Sequence, residues 1–191
     1  RLLDRPGPVP SVRVHPGASD ELRRWPAERF AAAADWLARQ GYRVFITGSK
    51  AERSLTRRVR EAMSEKAFDV AGATDLGGMA ALLAGSELLL CNDTGVSHLA
   101  AAVRARSVVV FSASDPGQWA PLDSELHRVV GEPMPERANH CRHTPELKGH
   151  RCLGDGCGNL RLANEESWQP ASVAHVLAAA EAQLEAGSGA G

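Results

Sequence analysis

The stretch from Leu88 to Pro121 constrains the chain most. An apolar run, Leu88 to Cys91, leads straight into Asn92-Asp93-Thr94-Gly95. A helix pattern rich in small residues follows from Val96 to about Val103, then a second apolar run from Ser107 to Phe111. A loop rich in proline and glycine ends at Trp119 and Pro121. Short apolar runs separated by a helix predict parallel strands joined by a crossover. A strand that turns sharply on Asp-Thr-Gly into a helix aims backbone N–H groups at one point. The positive end of the helix dipole lies at that same point, which suits phosphate. The group of candidates comprises the amides of residues 94–97, the Thr94 hydroxyl, the Gly95 turn and the His98 ring. Asp93 is assigned to capping the helix, since a carboxylate beside phosphate would repel it. The plain alternative is a capped helix with a turn glycine and a solvent-facing histidine.

The same strand–helix rhythm runs through most of the chain. Val12 to His15 is a short strand ending at Pro16-Gly17. Trp25-Pro26 opens a helix through Gln40, with Pro26 at the first helical position and Ala31, Ala34, Leu37 and Ala38 on one face. Arg43 to Thr47 is a strand, Ala51 to about Lys66 a charged helix, and Phe68 to Ala71 a short extended piece. Asp75 to Leu83 is a helix with an Asp or Thr cap, and Leu126 to Val130 a short strand. Repeated β-α units imply a Rossmann-like, three-layer α/β domain: a parallel sheet with helices on both faces.

Residues 131–169 break the rhythm. They hold three of the seven histidines and three of the four cysteines, with little periodicity, and are expected to form a long irregular loop. A last helix spans about Pro170 to Glu185, with Val173, Val176, Leu177 and Leu184 on its apolar side. The domain is placed at 1–186 and a flexible tail at 187–191. The 191 residues suit one domain with a real core. The first residue is Arg1, so the chain is taken as a piece of something longer.

Composition removes several function classes. A formal net charge of -1 provides no positive field, so nucleic acid is not the expected partner. No apolar run reaches transmembrane length. Cys91, inside an apolar strand, is a buried small hydrophobe. The uneven cysteines at 91, 141, 152 and 157 do not form a secreted disulfide framework, and a reducing cytosol suits them better. Cys141, Cys152 and Cys157, with His140, His143 and His150, lack the paired spacing of common zinc sites. No metal is expected there, and zinc or a disulfide remain the alternatives to a plain surface loop. GxGxxG after the first strand is absent, which disfavours a nicotinamide-binding domain.

Two further loops lie at equivalent strand ends. Gly17-Ala18-Ser19, followed by Arg23-Arg24-Trp25-Pro26, offers close backbone approach, the Ser19 hydroxyl and an arginine that grips phosphate. An ordinary βα loop with solvated arginines is the alternative. Glu52, beyond the second strand, suits ribose hydroxyls, or else stabilises the start of its helix.

Three stretches taken together resemble glycosyltransferase family nine, the ADP-heptose:lipopolysaccharide heptosyltransferases. They are HPGAS…RRWPAERFAAAADWLARQGYRVFITGSKAE, DLGGMAALLAGSELLLCNDTGVSHLAAA and VVVFSASDPGQWAPL. The resemblance covers nearly the whole chain and implies the C-terminal, donor-binding half of a GT-B glycosyltransferase. It implies phosphate contacts at Ser19 and at Arg23, where the family carries lysine. It places Glu52 near the donor ribose, Met79 against adenine, and Asp93, Thr94, Gly95 and His98 in the donor signature. It also implies that the acidic general base and the acceptor site belong to an N-terminal domain, so no catalytic residue is assigned here.

The expected function is donor binding for an inverting transfer of heptose or a related sugar. The donor is a nucleotide-diphosphate sugar, ADP favoured, and the acceptor a cell-envelope glycan or small molecule. The implied partner is the N-terminal GT-B domain, no cofactor or metal is needed, and the location is cytoplasmic, at most peripheral to the membrane's inner face. Two rivals stay open: a non-catalytic nucleotide-sugar-binding module, and a GT-B sugar-nucleotide epimerase.

Overall fold

A computed structural model describes residues 9–131 and 171–188. Six strands form one sheet: β1 (Ser11–His15), β2 (Arg43–Ile46), β3 (Ala67–Asp69), β4 (Leu88–Asn92), β5 (Ser107–Val110) and β6 (His127–Val130). Their order is β3-β2-β1-β4-β5-β6, every pairing is parallel, and Val12 sits opposite both Val44 and Leu88. Among the described residues the helices are α1 (Ala27–Arg39), α2 (Arg53–Ala62), α3 (Leu76–Ala84), α4 (Gly95–Ala102), the single turn α5 (Pro116–Trp119) and α6 (Val173–Ser188).

Alternation along the strands divides the core into two layers. Val12, Val14, Val44, Ile46, Leu88, Leu90, Val108 and Val110 pack with Phe30 and Leu37 of α1, Val59 of α2, and Val176 and Ala180 of α6. On the other face Leu89, Cys91, Val109 and Phe111 meet Met79 and Leu83 of α3 and Ala100 of α4. The three-layer Rossmann-like arrangement expected from the sequence is therefore present. Strand order reverses between β1 and β4, so the connections leaving those strands diverge and open a crevice at the carboxyl edge. Cys91 is a free, fully buried thiol whose pKa is pushed up by burial and by nearby Asp93, consistent with its reading as core.

Several boundaries differ from expectation for identifiable reasons. Pro26 precedes α1 as its extended N-cap residue rather than standing inside the first turn. The charged helix does not begin at Ala51 or reach Lys66. A 3-10 turn, Lys50–Glu52, precedes α2, and the chain turns extended at Met63. Buried Asp35 of α1 explains that ending, because its carboxylate accepts the amides of Ser64 and Glu65 at 2.8–3.1 Å. Asp75 caps α3 as expected, accepting the Gly78 amide at 2.8 Å. Helix α6 continues through Gly187 and Ser188, where the sequence suggests a tail, and Arg106 donates to the Ala186 carbonyl at 3.3 Å. Gln183, fully buried on α6, receives Arg106 at 3.2 Å and donates to the Glu125 carbonyl at 3.0 Å. Residues 132–170, with Cys141, Cys152, Cys157, His140, His143 and His150, lie outside the described residues. Among the described residues no helix is long and apolar enough to cross a membrane, and no three His, Cys, Asp or Glu side chains group as metal ligands.

Two imidazoles are built into the sheet. His15 lies within 3.0 Å of the Thr47 hydroxyl and His127 within 2.8 Å of the Ser107 hydroxyl. Burial lowers the pKa of both, outweighing the opposing pull of Glu52 on His15 and of Asp123 on His127. Each ring thus takes up a proton less readily folded than unfolded. Folding is unaffected well above the ordinary histidine value of 6.5 and is penalised as pH falls below it. The thermal unfolding midpoint should hold steady from about pH 8 to 7 and then decline toward about pH 5. A midpoint that stays flat or rises over that acid range would contradict the burial of these rings.

Candidate functional site

The crevice at the switch point is lined by backbone first and side chains second. After β1 the chain passes Pro16, Gly17, Ala18 and Ser19 into a 3-10 turn, Glu21–Arg23, capped by Asp20, whose carboxylate accepts the Leu22 amide at 3.0 Å. Arg24 braces the loop by donating to the Ala18 carbonyl at 2.9 Å. Trp25 closes it, buried against Phe30 in an edge-to-face contact at 5.1 Å, with its indole N–H on the Ala171 carbonyl at 2.7 Å. Arg29 donates to the same carbonyl at 3.1 Å, so α6 is tied to the root of this loop.

On the far side of the crevice β4 ends at Asn92, and Asp93 follows, 3% exposed. Its role differs from the cap assigned from sequence. The N-cap position of α4 belongs to Thr94, which is extended (φ -159, ψ 166) and makes no side-chain cap bond. Asp93 instead receives the hydroxyl of Ser114, from the loop after β5, and stands 3.6 Å from the guanidinium of Arg23. Its carboxylate is thus committed to those two donors rather than to the amides of α4. The expected repulsion between Asp93 and a phosphate is thereby blunted, because the negative charge is already paired.

The opening of α4 is partly committed. The Ser97 amide donates to the Thr94 carbonyl at 3.0 Å, and the Ser97 hydroxyl to the same oxygen at 2.7 Å. Of the four amides assigned to an anion, that of residue 97 is therefore engaged within the protein. The first N–H groups of a helix have no partner inside it. Gly95 is exposed, and a Cβ there would meet nothing within 4 Å, so the space before the helix is open. Arg23 keeps a third of its side chain exposed at this place. The structure thus brings Arg23 to Asp93, which directly precedes Thr94 and the open Gly95.

The other sequence candidates are placed less uniformly. Ser19 is exposed on the β1 loop. Glu52 forms a capping box with Ser49, whose amide donates to it at 2.7 Å, while its other oxygen occupies the space a Cβ on Gly17 would need. Burial tends to raise the Glu52 pKa, but the Ser49 bonds and the nearby His15 and Arg24 charges prevail and hold it below the ordinary value. Glu52 is therefore both a turn-stabilising glutamate and a carboxylate set against the β1 loop. His98 is exposed on α4 and lines a cleft of about 450 Å³ between α4 and the α5–β6 connection, with Ala101, Arg104, Gln118 and Leu126 among its walls. Met79, 8% exposed, is packed among Leu83, Leu89 and Phe111, within the core rather than on an open surface.

Sequence reasoning missed Asn92, Ser114 and His15. All three are buried polar residues at or just beyond the carboxyl ends of strands. A polar residue closing an otherwise apolar strand, as Asn92 closes Leu88–Cys91, is the signal that could have found the first.

Comparisons with known proteins bear on the family and the fold. A family model described as Glycosyltransferase family 9 (heptosyltransferase) matches residues 4–149. Lipooligosaccharide heptosyltransferase 2 of Haemophilus influenzae is 30% identical over 134 residues, covering 66% of this chain and 39% of the relative. The structure of Escherichia coli ADP-heptose lps heptosyltransferase II superposes with a TM-score of 0.70 at 22% identity, over 96% of this chain and 49% of that one, a likeness of fold. An E. coli heptosyltransferase solved with ADP matches at a TM-score of 0.57 and 25% identity, over 67% of this chain and 40% of that one. The chain spans less than half the length of each of these proteins. With a family model matched along most of its length, the chain belongs to glycosyltransferase family 9, the heptosyltransferases.

Proposed function

We propose that this chain is the donor-binding part of an inverting GT-B glycosyltransferase. It would hold an ADP-linked heptose, or a related nucleotide-diphosphate sugar, for transfer to a cell-envelope glycan or a small acceptor. The observation that carries the reading is the approach of the Arg23 guanidinium to Asp93 at the switch point, two residues before the open first turn of α4 at Gly95. In this reading Arg23 and the Gly95–Val96 amides take the diphosphate, with Ser19 and His98 at its margins, and Glu52 accepts ribose hydroxyls. Met79 would reach adenine only at its exposed edge.

The chemistry asked of these groups is electrostatic. As the bond between the anomeric carbon and the diphosphate oxygen breaks, its electron pair stays on the departing nucleotide. The acceptor oxygen bonds to the carbon and gives its proton to a base. Arg23 and the helix dipole sit where the departing charge grows, which is the form of stabilisation most effective in a closed site. With those donors in place the reading requires no metal. The base is assigned to another domain of the parent protein. Asp93 is occupied by Ser114 and Arg23, and Glu52, with its lowered pKa, is a weak proton acceptor set against the β1 loop. Exposed Leu22, Leu76 and Trp119, on the connections after β1, β3 and β5, suit contact with such a domain. The reading places the parent in the cytoplasm, at most peripheral to the inner face of the membrane.

ADP binding measured by calorimetry should be weakened by about 1–3 kcal/mol in Arg23→Ala and again in His98→Ala, the scale of a lost charged hydrogen bond. Wild-type affinity in both variants would remove the proposed diphosphate site. Incubated alone with radiolabelled ADP-heptose and acceptor, residues 1–191 should transfer no sugar, and adding the parent's remaining domain should restore turnover. Robust transfer by this chain alone would mean that a base lies within it.

A further inference from the structure

Resting on the reading of this crevice as a nucleotide-diphosphate site, we infer that Asn92 is the positioning residue of that site. Its carboxamide holds both ends of the 16–25 loop and so sets Arg23 before the N-terminus of α4. Asn92 is completely buried. Its Oδ1 accepts the Trp25 amide at 2.9 Å and its Nδ2 donates to the Pro16 carbonyl at 2.8 Å. Pro16 and Trp25 are the two ends of the segment that carries Gly17, Ser19 and Arg23. One side chain, from a strand distant in sequence, therefore closes the whole loop.

The neighbouring residue completes the device. Successive residues of an extended chain point to opposite sides, so Asn92 grips the loop backbone on one side while Asp93 faces the loop's arginine on the other. The Arg23–Asp93 separation of 3.6 Å is longer than a hydrogen bond, and the arginine is a third exposed. That ion pair alone does not fix the guanidinium; the loop's shape does. The internal braces, Arg24 to Ala18 and Asp20 to Leu22, stiffen the loop but do not join its two ends to each other. Among the described residues, the Asn92 side chain is the one that hydrogen-bonds both end residues of the loop to the sheet from which α4 departs.

The chemistry of the position is specific. It requires a donor and an acceptor on one planar group, which a carboxamide supplies. Aspartate would keep the Trp25 bond but set an oxygen against the Pro16 carbonyl. Serine is too short to reach both. The Trp25 amide lies ahead of α1 and ahead of Pro26, so the helix offers it no substitute acceptor.

The test uses the full chain with Asn92→Asp, Asn92→Ser, Arg23→Ala and the Asn92/Arg23 double variants, measured by ADP calorimetry and thermal unfolding. Each Asn92 variant should weaken ADP binding about tenfold, the scale expected from loosening a charged hydrogen bond. Adding Arg23→Ala to an Asn92 variant should cost little more affinity, because both changes act through the same contact. A merely structural role would instead give affinity losses that multiply. That outcome, or folded Asn92 variants with wild-type ADP affinity, would overturn the inference alone. A wild type that binds no ADP would overturn the site reading and the inference together. If no Asn92 variant folds, amide hydrogen exchange on the wild type decides. Saturating ADP should slow exchange of the Trp25 amide several-fold, and unchanged exchange there would overturn the inference.

Discussion

A carboxylate 3% exposed must be surrounded by donors or it costs several kcal/mol. Asp93 is that carboxylate, and meeting its demand organises the crevice. Ser114 comes to it from the loop after β5, and Arg23 from the loop after β1. Three connections that diverge from the sheet are thus brought back to one point. The charge is paired from within, and the open space at Gly95 follows two residues later in the chain.

The sheet supplies the rigidity this arrangement needs. Strands buried on both faces hold β1 and β4 in register, Val14 beside Leu90 and His15 beside Cys91. Alanines 27, 31, 33 and 34 let α1 lie close to the sheet, with Trp25 and Phe30 filling the space at its start. The polar groups at the strand ends are consequently displayed from a packed platform, which is how small differences in loop geometry become differences in binding.

Much of this was legible in the sequence, for physical reasons that also mark its limits. The apolar runs 88–91 and 107–111 and the small-residue helix between them are local patterns, and they name their own elements. Asp75 caps α3 through a bond three residues away, and that too is local. What stayed hidden depends on partners far apart in the chain. Helix α2 stops at Ala62 because Asp35 takes the following amides. Gln183 is buried because Arg106 and Glu125 meet it there. Asp93 looked like a cap because its real donors lie 70 residues before it and 21 after it. In the site, Arg23 and Asp93 were both candidates from separate local motifs, and their approach to 3.6 Å is a contact no local pattern reveals. Met79, expected against adenine, sits mainly in the core, since helical periodicity does not reveal which side of α3 the sheet covers.

The central claim is that a nucleotide diphosphate sits between the β1 loop and the start of α4. It is tested most directly by following backbone amide resonances while ADP, and separately adenosine, is titrated into the isotope-labelled chain. The account predicts that ADP shifts the amides of residues 17–23 and 94–98 together, and that adenosine leaves Arg23 and Gly95 nearly unmoved. Shifts confined to the cleft between α4 and the α5–β6 connection, around Ala101 and Gln118, would contradict it.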